Sequence, residues 1–217
     1  MDNTAAFKSN DVIAGIHRAS ETIQANESYL NELDAVVGDG EHGFNLNRAF
    51  HRALAKLPEL EAAPLSDLLR SIGMELIASG GGAGTTFYGM AFVAASKVVG
   101  DNESINIQLL SEMMSSALAD IQKRGGANPG DKTLVDALAP AVEAIQVASS
   151  AGKMPIQAME AAVAAAREGA EKTKELVGRK GRSLYAGQRA LGVPDPGATS
   201  TYLIIASLAN QPVETPL

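Results

Sequence analysis

Three carboxylates, Asp34, Asp39 and Glu41, fall within eight positions of the segment Leu33-Asp34-Ala35-Val36-Val37-Gly38-Asp39-Gly40-Glu41-His42-Gly43, and glycines break the chain around them. The spacing predicts that Asp34 closes a helix while Asp39 and Glu41 sit in the turn that follows, so all three can converge on one hard cation. Mg²⁺ suits such a set, because it demands octahedral oxygen ligands, rarely takes a full protein cage and borrows the rest from water and phosphate. The segment then reads as half of a metal-nucleotide site. A solvated, helix-capping turn is equally compatible with these residues, since Asp and Gly are ordinary in turns, and the segment alone leaves both readings open. An EF-hand fits poorly, because Phe44 and Leu46 interrupt its alternation of oxygen ligands. A closed zinc site cannot be assembled without cysteine from His17, His42 and His51.

Three further loops could meet a nucleotide. Ser79-Gly80-Gly81-Gly82-Ala83-Gly84-Thr85-Thr86 is a glycine-rich turn leading into a helix, where backbone N–H groups and the helix N-terminus favour phosphate oxygens. It is not a dinucleotide fingerprint, since no strand precedes it, and close helix packing explains its glycines as well. Arg124-Gly125-Gly126-Ala127-Asn128-Pro129-Gly130-Asp131-Lys132-Thr133 approaches a P-loop, but Asp131 separates the last glycine from the lysine and a helix, not a strand, leads into it. The P-loop fold is rejected. Gly178-Arg179-Lys180-Gly181-Arg182 sets three cations close together, ahead of the helix start Asp195-Pro196-Gly197-Ala198-Thr199-Ser200. Arg182 or Arg179 could answer a phosphate through the planar guanidinium fork, and a solvated basic patch is the alternative.

The elements that must position these loops are helical. Leu46, Phe50, Ala53 and Leu57 recur at helical spacing, as do Leu65, Leu68, Leu69, Ile72 and Leu76. Leu110, Met114, Ala117 and Ile121 repeat it, followed by Leu134, Leu138, Val142 and Ile145, and, after Pro155 at a helix start, by Ile156, Met159, Val163 and Ala166. Helices are expected near 11–25, 27–36, 43–57, 66–79, 85–98, 105–123, 132–149, 155–176 and 197–210, with no convincing strand. Connections are short except at 177–196, and no Ser/Pro-rich linker divides the chain. The expectation is one all-α domain over 1–217, eight or nine helices packed as in an antiparallel bundle, with alanine-rich faces at 158–170 allowing close approach.

Composition narrows the function classes. A hydrophobic content of 46% with 20% charged residues is that of a soluble globular protein. No apolar run approaches the roughly 20 residues that span a bilayer, and Met1-Asp2-Asn3-Thr4 lacks a basic signal-peptide start, so a cytoplasmic location with no membrane partner is expected. The absence of cysteine excludes a disulfide framework. A formal charge of −7 and 4% aromatic residues argue against nucleic acid as a partner.

Taken in order, LDAVVGDGEHGFNLNRAF, GGGAGTTFYG, RGGANPGDKT and GRKGRSLYAGQR followed by DPGATS resemble the L subunit of dihydroxyacetone kinase, the nucleotide-binding DhaL family, from about residue 25 to 205. The resemblance implies an eight-helix antiparallel barrel with ADP or ATP at one rim and two Mg²⁺ ions bridging its phosphates to Asp34, Asp39 and Glu41. The third is usually Asp in this family, so Glu41 carries its charge one methylene further out. The resemblance assigns His42, Gly43, Phe44 and Asn45 to the phosphate side, Ala83, Gly84 and Thr85 to the glycine-rich face, and Gly125 and Leu134 to the adenine and ribose. Arg182, Asp195, Pro196 and Gly197 complete the rim, with Arg182 and His42 positioning the transferred phosphoryl group. It implies a kinase component that acts with a separate K subunit holding dihydroxyacetone, its bound ADP rephosphorylated by a phosphotransferase-system protein or exchanged for ATP. A four-carbon ketose such as erythrulose as the partner's substrate, and a non-catalytic nucleotide-binding regulator that contacts a transcription factor, are the alternatives the family offers.

Overall fold

The computed structural model describes residues 6–217; the N-terminal residues 1–4, read above for a targeting signal, lie outside the described residues. Glycine and proline punctuate a chain of helix-forming stretches into α1 (Ser9–Ala25), α2 (Glu27–Val37), α3 (His42–Lys56), α4 (Leu65–Ala78), α5 (Gly82–Val99), α6 (Ile107–Gly125), α7 (Val135–Ser150), α8 (Pro155–Lys172), the four-residue α9 (Ser183–Ala186) and α10 (Pro196–Leu208). The starts and stops have local causes. The Asn106 side chain accepts the Leu109 N–H ahead of α6, Gly126 ends that helix in the left-handed region, and proline opens α8 and α10 where an N–H is dispensable. Among the described residues the only extended pairing is an isolated bridge between Phe7 and Ile105, so the expected all-α class holds.

Neighbour follows neighbour around a closed ring in the order α1, α3, α4, α5, α6, α7, α8, α10 and back to α1, which makes the molecule a barrel of eight helices. Outside that ring, α2 packs on α3 and α10 and carries α9. The expected stripes face inward: Leu46, Phe50, Leu68, Ile72, Leu76, Ile121 and Ile145 are buried, and Tyr202 on α10 is the largest fully buried side chain. Glycine permits the tightest approach, since a Cβ on Gly73 would stand 2.6 Å from the Gly89 carbonyl oxygen and one on Gly89 would stand 2.5 Å from that of Gly73, at the α4–α5 crossing. The barrel is incompletely filled. An apolar cavity of ≈ 160 Å³ remains between Leu69, Phe92, Met113, Leu138 and Ile205.

Three boundaries differ from the sequence expectation by three residues or more, and each bears on the loops. The α5 helix begins at Gly82 rather than 85, so Gly82, Ala83 and Gly84 form the helix's own first turn and only Gly80 and Gly81 stand ahead of it. The α7 helix begins at Val135 rather than 132, because Lys132 adopts φ +61° and Asp136 accepts the N–H groups of Gly130 and Thr133 as a cap reached from inside the helix. The stretch expected as helix to 176 leaves the α-helix at Lys172 and continues as a 3₁₀ turn over Thr173–Glu175. The long connection at 177–196 contains α9 and a second 3₁₀ turn, Gly187–Ala190.

Candidate nucleotide and metal site

At one rim of the barrel the N-termini of α3, α5 and α10 meet the C-terminal ends of α2 and α6 around a cavity of ≈ 180 Å³. Three helix N-termini aimed at one space bring backbone N–H groups and partial positive charge, the requirements of a polyphosphate. The carboxylates stand against them. Asp34, in the last turn of α2, is buried, and its Oδ2 accepts the N–H groups of Gly40 at 3.0 Å and Glu41 at 3.2 Å, so the loop wraps around it. Asp39 is half exposed, and the Arg182 guanidinium pairs closely with it while lying 3.5 Å from Asp34 Oδ2. Arg182 thus supplies the cation that two facing carboxylates require. Its hydrogen bond holds Asp39 down to about 2, whereas burial, reinforced by Asp39 beside it, pushes Asp34 above the ordinary carboxylate range.

Glu41 occupies the N-cap of α3 and is exposed beside the cavity, not part of its wall. Among the described residues no three His, Asp or Glu side chains form a ready metal cage. What the chain offers is a pair of acidic groups already gathered around one positive charge, beside an open space for further oxygen ligands. That donor set fits Mg²⁺, which keeps water and takes phosphate oxygens, and it does not fit a cation needing an all-protein cage.

His42 opens α3 and forms part of the cavity wall, its Nε2 2.9 Å from Ser200 Oγ. Ser200 Oγ lies 2.7 Å from the Tyr88 hydroxyl, which in turn reaches Thr201 Oγ1 and the Gly197 carbonyl, each at 2.9 Å. Burial first, and the Arg182 charge second, lower the His42 pKa to about 4, so the ring is neutral at pH 7. Asn45 and Gly84 line the same wall, and a Cβ on Gly84 would stand 2.9 Å from the His42 ring, which leaves room for nothing larger than glycine there. Gly43 faces away from the cavity, where a Cβ would collide with the Glu27 carbonyl oxygen at 2.2 Å. Phe44 is exposed with the Arg48 guanidinium over its ring, and Thr85 is buried behind the wall with its hydroxyl on the Gly82 carbonyl.

Ala83, Gly125, Leu134, Asp195, Pro196 and Gly197 all line the cavity, together with Phe87, Lys132, Thr133, Lys180 and Ser183, which sequence reasoning did not assign to it. Phe87 could have been found, since it lies one helical turn beyond Gly84. Ser200 and Thr201 stand at i+3 and i+4 from Gly197, the spacing that places them on one face of α10.

Asp195 is the N-cap of α10, accepting the Ala198 N–H at 2.9 Å and the Ser183 hydroxyl at 3.0 Å, and burial raises its pKa to about 6. Between the unfolded value near 4 and about 6 the folded chain binds the extra proton. This group's stabilising contribution is therefore complete below about pH 4 and lost as pH rises through about 6, costing on the order of 2–3 kcal/mol at neutral pH. In Asp195→Asn that loss disappears, so thermal melts should show the variant gaining on the parent chain between pH 4 and 7. A difference that stays constant with pH would contradict the assignment.

Residues 36–210 match the DAK2 domain. The ADP-binding subunit DhaL of the PEP-dependent dihydroxyacetone kinase of Escherichia coli (strain K12) is 33% identical over 198 residues, covering 91% of this chain and 94% of that one. The ADP-binding subunit DhaL of PEP-dependent dihydroxyacetone kinase 1 of Listeria innocua is 35% identical over 193 residues, 89% of this chain and 91% of that one. The crystal structure of the dihydroxyacetone kinase of C. freundii in complex with AMP-PNP and Mg²⁺ superimposes with a TM-score of 0.71 at 28% identity. It covers 94% of this chain, which spans about a third (34%) of that longer one. With a match from residue 36 to 210, relatives aligned over nearly their whole length and a common helical frame, the chain belongs to the DAK2 domain family, among its DhaL-type members.

Proposed function

We propose that this chain is the nucleotide-binding subunit of a dihydroxyacetone kinase. ADP or ATP occupies the rim cavity with two Mg²⁺ ions, and the phosphoryl group passes to dihydroxyacetone held on a separate K subunit. The observation that carries the reading is the Asp34–Asp39 pair facing three helix N-termini across a cavity whose wall admits only glycine at position 84. Bound Mg²⁺ would supply charge neutralisation of the phosphates and an in-line arrangement of the attacking and leaving oxygens. Asp34 and Asp39 would hold it, with Glu41, two positions on from Asp39, the third carboxylate of the segment.

Phosphoryl transfer needs little covalent work from protein and much positioning. Backbone N–H groups at the starts of α3, α5 and α10 orient the phosphate chain. Neutral His42, braced by Ser200 and Tyr88, presents one ring nitrogen to it. Arg182 stands where a third cation can meet charge on the transferring group. The bond from the terminal phosphorus to its bridging oxygen breaks as one forms to a substrate hydroxyl, whose proton leaves with a base on the partner.

The names of the E. coli and Listeria relatives, ADP-binding subunits of PEP-dependent enzymes, support a nucleotide kept in place and rephosphorylated by a phosphotransferase-system protein. No helix among the described residues is long and apolar enough to cross a membrane. The decisive mixture contains the chain, Mg²⁺, ATP, a phosphotransferase-system phosphoryl donor and dihydroxyacetone, with and without a K subunit. Triose phosphate should form only when the K subunit is present, because a rim open to solvent neither aligns the ketone nor excludes water. Robust turnover by the chain alone would refute the subunit reading.

A further inference from the structure

The lysine of Gly130-Asp131-Lys132-Thr133, the loop that approaches a P-loop in sequence, is fully buried. Its Nζ donates to three carbonyl oxygens, Thr173 at 2.6 Å, Ala190 at 2.8 Å and Val193 at 2.8 Å. An ammonium carries three N–H donors, so every one is used and none remains for a phosphate. The acceptors share one feature. Thr173 lies where the chain leaves α8, whereas Ala190 and Val193 lie where it returns toward α10. Lys132 therefore closes the throat of the long segment between them. Two other bonds close the same throat: the Asp195 N–H donates to Thr173 Oγ1 and the Gly192 N–H to the Lys174 carbonyl, each at 2.8 Å.

The segment held in this way carries Arg182 and α9 and runs into the Asp195 cap. Beyond the pairing of Arg182 with Asp34 and Asp39 and the Ser183 hydroxyl on Asp195, its other ties are few. Its apolar anchor is a cluster of Val37 on α2 with Ala186 and Ala190, and one backbone bond joins Arg179 N–H to the Asp131 carbonyl at 3.0 Å. Leu184, Tyr185 and Leu191 on its outer side are exposed. Removing the ammonium would strip the Val193 carbonyl of its donor and leave the Thr173 and Ala190 carbonyls only the N–H groups of Leu176 and Val193, at 3.1 and 3.3 Å, so the cost would fall on the segment rather than on the barrel.

We propose that Lys132 is a positioning residue: its buried ammonium pins the throat of the 173–193 segment and thereby stands Arg182 and Asp195 at the nucleotide cavity. The positioning is independent of what the cavity binds; its effect on turnover rests on the reading of that cavity as a kinase nucleotide site.

The test uses Lys132→Met, close in volume and without donors, and Lys132→Cys, followed by alkylation with 2-bromoethylamine during refolding. The chain has no native cysteine. The thiolate displaces bromide at that position alone and restores an ammonium on a thioether arm. Amide hydrogen exchange should accelerate at least about tenfold between residues 176 and 194 in Lys132→Met, with the helices α3 to α5 as protected as in the parent. A displacement of about 1 Å at the reacting groups costs on the order of 100-fold in turnover, so kcat with a K subunit should fall by that order. The aminoethylated protein should recover both readouts. Leu76→Ala, far from the throat on α4, should lower the melting temperature while leaving exchange of the segment unchanged relative to the barrel. Loss of protection spread evenly over all helices, with kcat per folded molecule unchanged, would make Lys132 a general stabiliser and overturn the proposal. If the parent chain bound no nucleotide at all, the kinase reading would fail while the exchange result still judged Lys132.

Discussion

In Asp39→Ala, turnover with a K subunit should fall by roughly 10³-fold or more while helical content and melting temperature stay close to those of the parent. The expectation follows from where the residue stands. Asp39 is half exposed on a loop, and its pairing with Arg182 is a partly solvated one, worth at most about 1 kcal/mol to the fold. Its carboxylate nevertheless faces the cavity beside Asp34, and the arginine keeps it ionised at any pH where the enzyme would work. Removing a carboxylate that would hold Mg²⁺ against the transferring group costs far more in the transition state than in the native state, because the cation's charge is what would meet the charge on the phosphoryl oxygens. Circular dichroism, a thermal melt and the coupled assay with the partner decide the matter. A cooperative loss of structure in the variant would mean that Asp39 serves the fold, and full activity would remove it from the site.

Arg182→Ala is expected to separate binding from catalysis. The guanidinium lies at the mouth of the cavity, half exposed and shared between Asp34 and Asp39. Were Asp34 and Asp39 to hold a divalent cation, the Arg182 guanidinium would lose its claim on them and be available to phosphate oxygens. The variant should therefore bind ADP with Mg²⁺ as well as the parent or better, while kcat drops by about 10³-fold, the lower end of the range for an arginine acting on a transferring phosphoryl group. Lysine at 182 should restore little, since a point charge cannot make the planar, two-pronged contact. The measurements are an ADP titration and kcat on one preparation. Weakened nucleotide affinity with kcat unchanged would assign Arg182 to binding alone.

How much of this was legible in the sequence depended on the period of the signal. The barrel helices announced themselves through stripes such as Leu65, Leu68, Leu69, Ile72 and Leu76, which are all buried, because a helix repeats its buried face every three or four residues and local spacing reports it. The closing of eight helices into a ring is a property of pairs far apart in sequence, and it entered only through resemblance. The glycine block at 80–84 was read as a loop before a helix; Gly82 instead begins α5, since glycine tolerates φ +80° there and then continues as a first turn. Lys132 was weighed as a phosphate lysine and set aside. Its true partners, three main-chain carbonyls contributed 41 to 61 residues later, carry no side-chain signature that a sequence can display.

The candidate site divides in the same way. Asp34 and Asp39 were found because carboxylates set among glycines mark a turn with work to do, and both reach the cavity. Gly43, Phe44 and Thr85 belong to the same motifs but stand behind or outside its wall, since a helix presents only part of each turn to one side. The brace behind His42 was invisible. Tyr88, Ser200 and Thr201 meet across two helices over 100 residues apart in the chain.

The most direct measurement of the central claim, a metal-dependent nucleotide site at the barrel rim, is calorimetric titration of the purified chain with ADP in Mg²⁺ and again in excess EDTA. Two acidic side chains at the cavity repel a polyphosphate unless a divalent cation lies between them, and charges about 4 Å apart in a partly desolvated site interact by roughly 4 kcal/mol. One-to-one binding should therefore appear in Mg²⁺ and vanish in EDTA, and in Asp34→Ala/Asp39→Ala the two conditions should no longer differ. Equal ADP affinity with and without the chelator would contradict the account.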